Sequence, residues 1–190
     1  SSLILSNSAR PSLGISFTNY NPKIIQSKYL SFLGPINYEF FINKLEANRH
    51  VPNALLFGNR ISIRPHSRLG ISFFRTAQLG GDGRNLNTKI FVDMLLGKDN
   101  YEADDPNKEN EPGNQIGGMD FNLILLQKKN LSLYGQIAGE DESGYLPSKT
   151  FYSLGLGYSW TQQDTKKINL EFSDTGSRQT NTTYNHSSYQ

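Results

Sequence analysis

Three carboxylates stand side by side at Glu140-Asp141-Glu142. Two carboxyl groups can hydrolyse a glycosidic bond when they flank it at a set separation. Neighbouring residues of a strand point to opposite faces, so Glu140 and Asp141 do not make such a pair. The run reads as an exposed acidic loop beside Ser143-Gly144, with no catalytic residue in it. A second acidic stretch, Lys98–Pro112, sets six carboxylates against two lysines. Oxygen ligands of this kind can hold Ca²⁺, but the ordered ligand spacing of an EF-hand is absent, and a solvated loop is the expectation. Gly80–Asn85 has glycines for a tight turn but neither the lysine nor the spacing of a phosphate loop. His50, His66 and His186 are far apart in sequence and there is no cysteine, so no metal site is expected. Gly157-Tyr-Ser159-Trp-Thr161 lacks the closing glycine of a nucleophile elbow. The expected chemistry is therefore non-catalytic, with no cofactor.

Sugar binding has a firmer physical basis. A pyranose offers an apolar face that an aromatic ring can cover, and hydroxyls that carboxylates, amides and guanidinium groups can bind. The long polar segments bring such groups together: Tyr101 and Asn114, with Asp99 and Asn100, in one; Glu142 and Tyr145 in another. Arg178, Tyr184 and His186 add to the supply near the end of the chain. Tyr101, Asn114, Glu142 and Tyr145 are the candidate carbohydrate contacts.

The elements that must position these loops read as strands. Leu55, Phe57, Ile61 and Ile63 alternate with Gly58, Arg60, Ser62 and Arg64, a period-two pattern that separates two faces. Pro65-His66-Ser67 then predicts a break, and Leu69, Ile71 and Phe73 resume the alternation as the second arm of a hairpin. The same alternation marks Leu13–Thr18, Asn37–Asn43, Met119–Leu125, Leu131–Ile137, Tyr152–Trp160 and Ile168–Phe172, about eight strands in all. One segment departs from it. Leu86, Ile90 and Met94 are spaced by four, which predicts a short helix over 87–96 ended by Gly97; another strand is the alternative.

Composition narrows the class. The chain has 190 residues, 12% aromatic, and a net charge of +2. That aromatic content is foreign to a disordered chain, and the scattered arginines do not form the basic face of a nucleic-acid binder. No stretch reaches the roughly 18 apolar residues of a spanning helix, and Ser1–Arg10 shows no signal peptide, which suggests a mature chain or a fragment. The low mean hydropathy of −0.54 still leaves room for a membrane β-barrel, whose signal is alternation. A soluble sandwich alternates in the same way, and it stays open. Three features favour the barrel: polar faces that carry charges of both signs, aromatics near strand ends (Tyr38, Tyr134, Tyr152, Tyr158 and Trp160), and connections that alternate between short and long. In a barrel Leu55, Phe57, Ile61, Ile63, Leu154, Leu156 and Tyr158 should face lipid. Glu39, Arg60, Arg64, Arg75 and Asp120 should face the lumen and pair with one another, since charges on lipid-facing positions are costly.

A resemblance to a known family sharpens this. Gly58–Pro65 with Leu69–Gly83, Asn100–Asp120, Tyr134–Glu142 with Leu146–Ser148, and Tyr184-Asn-His186, in that order, resemble the capsule assembly protein Wzi family. The resemblance implies a non-enzymatic, lectin-like outer-membrane β-barrel of Gram-negative bacteria, one that holds capsular or other surface polysaccharide at the cell surface and sits in outer-membrane lipid. It also implies that residues 1–190 are part of a single, larger barrel domain. The fold expected is all-β: an antiparallel up-and-down transmembrane barrel, partial here. A porin-like transport barrel, with Glu39, Arg60 and Arg64 setting selectivity, remains the alternative.

Overall fold

The computed structural model describes residues 12–95, 115–127, 130–143, 146–161 and 165–174. In chain order the elements are β1 (Leu13–Thr18), β2 (Lys23–Ile24), a 3₁₀ turn (Ser31–Leu33), β3 (Pro35–Lys44), β4 (Leu55–His66), β5 (Leu69–Leu79), α1 (Thr88–Leu95), β6 (Gln115–Leu126), β7 (Leu131–Ser143), β8 (Leu146–Thr161) and β9 (Thr165–Asp174). The strands form one antiparallel sheet in the order β1-β3-β4-β5-β6-β7-β8-β9, with the short β2 also on β3. The alternating segments all become strands; β2, too short to alternate, is the addition. Pro65 does not end β4. It lies within a register shift between Ile63 and His66, since a residue without an N–H is tolerated at a bulge, and the turn falls at Ser67-Arg68.

Register sorts the side chains into two faces, because directly paired residues of antiparallel strands share a side. One face is apolar across every strand. Phe17, Phe40, Ile61, Phe73, Met119, Ile137, Tyr152, Leu154, Leu156, Leu170 and Phe172 lie on it, and all of these are exposed. Tyr158 stacks on Trp160 at 5.4 Å at one margin of this face, and Tyr152 meets Phe172 at 6.2 Å near the other. Lys44, Lys166 and Asp174 on this face sit at strand ends; Arg75, within β5, is the exception described below.

The only helix among the described residues packs on this same apolar face. Asn87 accepts the Ile90 N–H through Oδ1 at 2.9 Å, a side-chain N-cap. Ile90 and Met94 then point inward against Phe57, Ala77 and Leu79, with Leu55 and Phe91 alongside. The expected helix is present as Thr88–Leu95; Leu86 does not join its stripe and is exposed, and Leu96 and Gly97 lie outside the described residues. Leu55 and Phe57 are corrected accordingly. They are on the apolar face, but Phe57 is 4% exposed beneath α1, with Leu55 alongside. Strand alternation reveals a face, not what covers it.

Arg75 is a second correction. It pairs with Asn59 and Gly117, so it shares the apolar face with Phe73 and Ala77, and it does not point to the polar side with Arg60. The doubled Phe73-Phe74 hides the phase: Phe74 takes the polar face and Arg75 falls opposite. Its level, with Asn59 and Gly117, lies between the exposed apolar band and the patch under α1. A long cationic side chain is tolerated at such a border.

Residues 45–54, 80–114 and 144–145 join strands at one end of the sheet; 19–34, which includes β2, with 67–68, 127–130 and 162–164, join them at the other. The expected alternation of short and long connections therefore holds only in part: 19–34 lies at the end of the tight turns, and only two residues separate β7 from β8. The stretch Glu140–Ser148 is not a long loop. β7 and β8 extend through it as paired strands, with register shifts between Ala138 and Glu140 and between Glu140 and Ser143. Bulges absorb the irregular residues and let the hairpin continue.

Candidate functional site: the polar face of the sheet

The second face is a wall of hydrogen-bonding groups. Successive register pairs build one row across it: Asn37, Ser62, Ser72, Asp120, Gln136, Ser153 and Ser173. Each comes from the polar phase of its own strand, so an apolar repeat on one side lays a polar row on the other. Ser72, Gln136 and Ser153 are buried in it. Ser62 donates to Ser72 Oγ at 3.0 Å.

Arg60 closes the centre of this wall. Its Nη2 donates to Ser72 Oγ at 3.0 Å and to Asp120 Oδ1 at 2.9 Å, and lies 2.7 Å from Asp120 Oδ2. The guanidinium also stands 5.9 Å from the centroid of Phe74. Arg60 and Asp120 are part-exposed, so the pair is hydrated on one side and its strength is modest. Glu39 is directly opposite Arg60 in register, yet among the described residues Arg60 makes its ion pair with Asp120. Arg64 lies in the same phase as Arg60, close to the tight-turn end, and is exposed. Of the five charges expected together, the structure thus joins Arg60 with Asp120, sets Glu39 beside them, puts Arg64 further along the same face, and moves Arg75 to the other.

A second cluster was not singled out from sequence. Tyr134 donates its hydroxyl hydrogen bond to Glu171 Oε2 at 3.1 Å, and Ser173 donates to Glu171 Oε1 at 3.4 Å. The sequence places Tyr134 among the aromatics near strand ends. It belongs to the polar face, opposite Asn122 and Gly155, whereas Tyr38, Tyr152, Tyr158 and Trp160 lie on the apolar one. Its strand phase, in step with Ser132 and Gln136, is the signal that identifies it.

The candidate sugar contacts Tyr101, Asn114 and Tyr145 lie outside the described residues. Glu142 belongs to the far end of β7. The ends of β5 and β7 and the starts of β6 and β8 are at the same end of the sheet, so the segments that carry these four residues leave from one rim. Among the described residues no group of His, Asp or Glu is arranged to hold a metal ion.

Comparison with known proteins agrees with this geometry. The sequence model described as "Capsule assembly protein Wzi" matches residues 1–190. An uncharacterised 55.8 kDa protein in the cps region of Klebsiella pneumoniae is 33% identical over 177 residues, which are 92% of this chain and 34% of that protein. The structure of Escherichia coli Wzi superposes with a TM-score of 0.73 at 28% identity, over 92% of this chain and 36% of the other. That protein is described as an outer membrane protein involved in group 1 capsule assembly and as a carbohydrate-binding β-barrel. The chain spans about a third of the length of both relatives.

Proposed function

The chain belongs to the capsule assembly protein Wzi family, and on that premise we propose that it is part of a single outer-membrane β-barrel domain of a Gram-negative bacterium that binds capsular polysaccharide and keeps it at the cell surface. Its apolar face meets outer-membrane lipid and its polar face lines the lumen. The observation that carries the reading is the division of one sheet into an exposed apolar face and a hydrogen-bonded polar face, in a chain matched by this family throughout. The role is binding rather than catalysis, a reading supported by the description of Escherichia coli Wzi as a carbohydrate-binding β-barrel. The candidate contacts to the polymer are Tyr101, Asn114, Glu142 and Tyr145, whose segments leave the sheet at one end. Individual contacts are weak, and a repeating polymer gains by engaging many barrels at once.

The test uses the full-length protein in its own bacterium. Residues 96–114 are replaced by a short Gly-Ser turn, and Glu142→Ala and Tyr145→Ala are added. Capsule should appear in the medium while the barrel still inserts. Unchanged retention would remove the rim from the binding surface. Large, steady single-channel currents of the intact protein in planar bilayers would instead support a transport barrel.

A further inference from the structure

Three aromatic residues on the polar face stand directly opposite a glycine of the next strand: Phe41 opposite Gly58, Phe74 opposite Gly118, and Tyr134 opposite Gly155. A β-carbon at any of these glycines would collide with the facing ring. The rings therefore lie down across the neighbouring strand instead of standing off the sheet. Tyr134 makes this plain. Its hydroxyl reaches Glu171 on β9 at 3.1 Å, two strands from β7, or about 10 Å away across the sheet. A tyrosine standing perpendicular to β7 would never meet it. The ring spans Gly155 and nears Gly157, which has no side chain to lift it. One ring face rests on backbone and the other is turned to the lumen.

We propose that the flat ring of Tyr134, fenced by Glu171, Asn169, Asn122 and Ser132, is a lumenal subsite that stacks a pyranose of the bound polysaccharide. The inference rests on the carbohydrate-binding reading and extends it from the rim into the barrel wall. The chemistry is matched on both sides. A pyranose presents axial C–H groups that an aromatic face covers, and equatorial hydroxyls that point outward to a polar fence. Glu171, Asn169 and Asn122 are exposed. The Glu171 carboxylate accepts from Tyr134 and Ser173 and has further lone-pair capacity for a sugar hydroxyl. The Tyr134–Glu171 hydrogen bond holds the ring in place before any ligand arrives, which lowers the ordering cost of binding. Phe74 is less suited, because the Arg60 guanidinium already stands over its ring.

The experiment uses the full-length protein in detergent micelles, with capsular polysaccharide from the producing bacterium cleaved to oligosaccharides. In the unaltered protein, saturation of aromatic protons should transfer to the axial ring protons of the sugar. Tyr134→Leu, which fills similar space without a ring, should abolish that transfer and weaken affinity about two- to tenfold, the scale of one aromatic contact. Tyr134→Phe should retain the transfer. Glu171→Gln, at an exposed position, should weaken affinity without touching the packing, and it serves as the second probe if the leucine variant does not fold. Oligosaccharide binding that is unchanged in both Tyr134→Leu and Glu171→Gln would overturn the subsite and leave the rim as the binding surface. An unaltered protein that binds no oligosaccharide would overturn the carbohydrate-binding reading itself.

Discussion

Leu156→Arg tests which face of the sheet meets lipid. Leu156 pairs with Leu133 and Leu170 on the apolar face and is 41% exposed. It is central in the β8 series Tyr152, Leu154, Leu156, Tyr158 and Trp160, four residues from each end. At about 3.4 Å per residue the series is about 27 Å long; at a tilt near 40–45° it crosses about 20 Å of membrane, close to the apolar band of such barrels. Leu156 then lies near the bilayer midplane, where an arginine costs about 2–4 kcal/mol. The control is Asn169→Arg on β9, an exposed polar-face position next to Gly157 in register, which should change stability by less than about 1 kcal/mol. The assay is urea-dependent folding of the full-length protein into lipid vesicles, followed by tryptophan fluorescence. Equal stability of the two variants, or a larger loss in Asn169→Arg, would refute the assignment of the faces.

Asp120→Ala should cost about 1–2 kcal/mol in the same assay, because it leaves the Arg60 guanidinium with Ser72 but without its anion; a double-mutant cycle with Arg60→Met should recover a coupling of about 0.5–1 kcal/mol, and zero coupling would show that the pair is fully screened. Met94 is completely buried between α1 and the sheet, so Met94→Ala should cost about 2–5 kcal/mol of helix docking, read as faster proteolysis near Thr88–Leu95 in the inserted barrel; unchanged protection would mean that α1 is held by something else. Asn87→Ala removes the helix cap and should raise proteolysis of the same segment by a smaller step, about 1 kcal/mol. Gly155→Val should displace the Tyr134 ring and break its bond to Glu171, detectable as a shifted tyrosine ring resonance; an unmoved resonance would argue against the flat ring.

Much of the architecture was legible in the sequence because a strand has a period of two. Each alternating run locates a strand and sorts its side chains. The i, i+4 spacing of Ile90 and Met94 marks the short helix α1 in the same way. The sequence could likewise pair Arg60 with an acid in kind, since polar phases of several strands carried opposite charges. It could not choose between Glu39 and Asp120, which depends on how neighbouring strands slide. Register decides that: Asp120 comes level with Ser72 and within reach of Arg60, although the two are sixty positions apart. Tertiary structure also decided what covers each face. The alternation that sends Phe57 and Leu156 to the same side is blind to α1, which buries one and leaves the other exposed. Doubled aromatics at Phe73-Phe74 obscured the phase of Arg75, and only pairing with Asn59 and Gly117 resolved it. The flat Tyr134 ring depends on a glycine twenty-one residues later in the chain. Local sequence sets periodicity; lateral pairing of strands, a long-range property, determines which side chains meet.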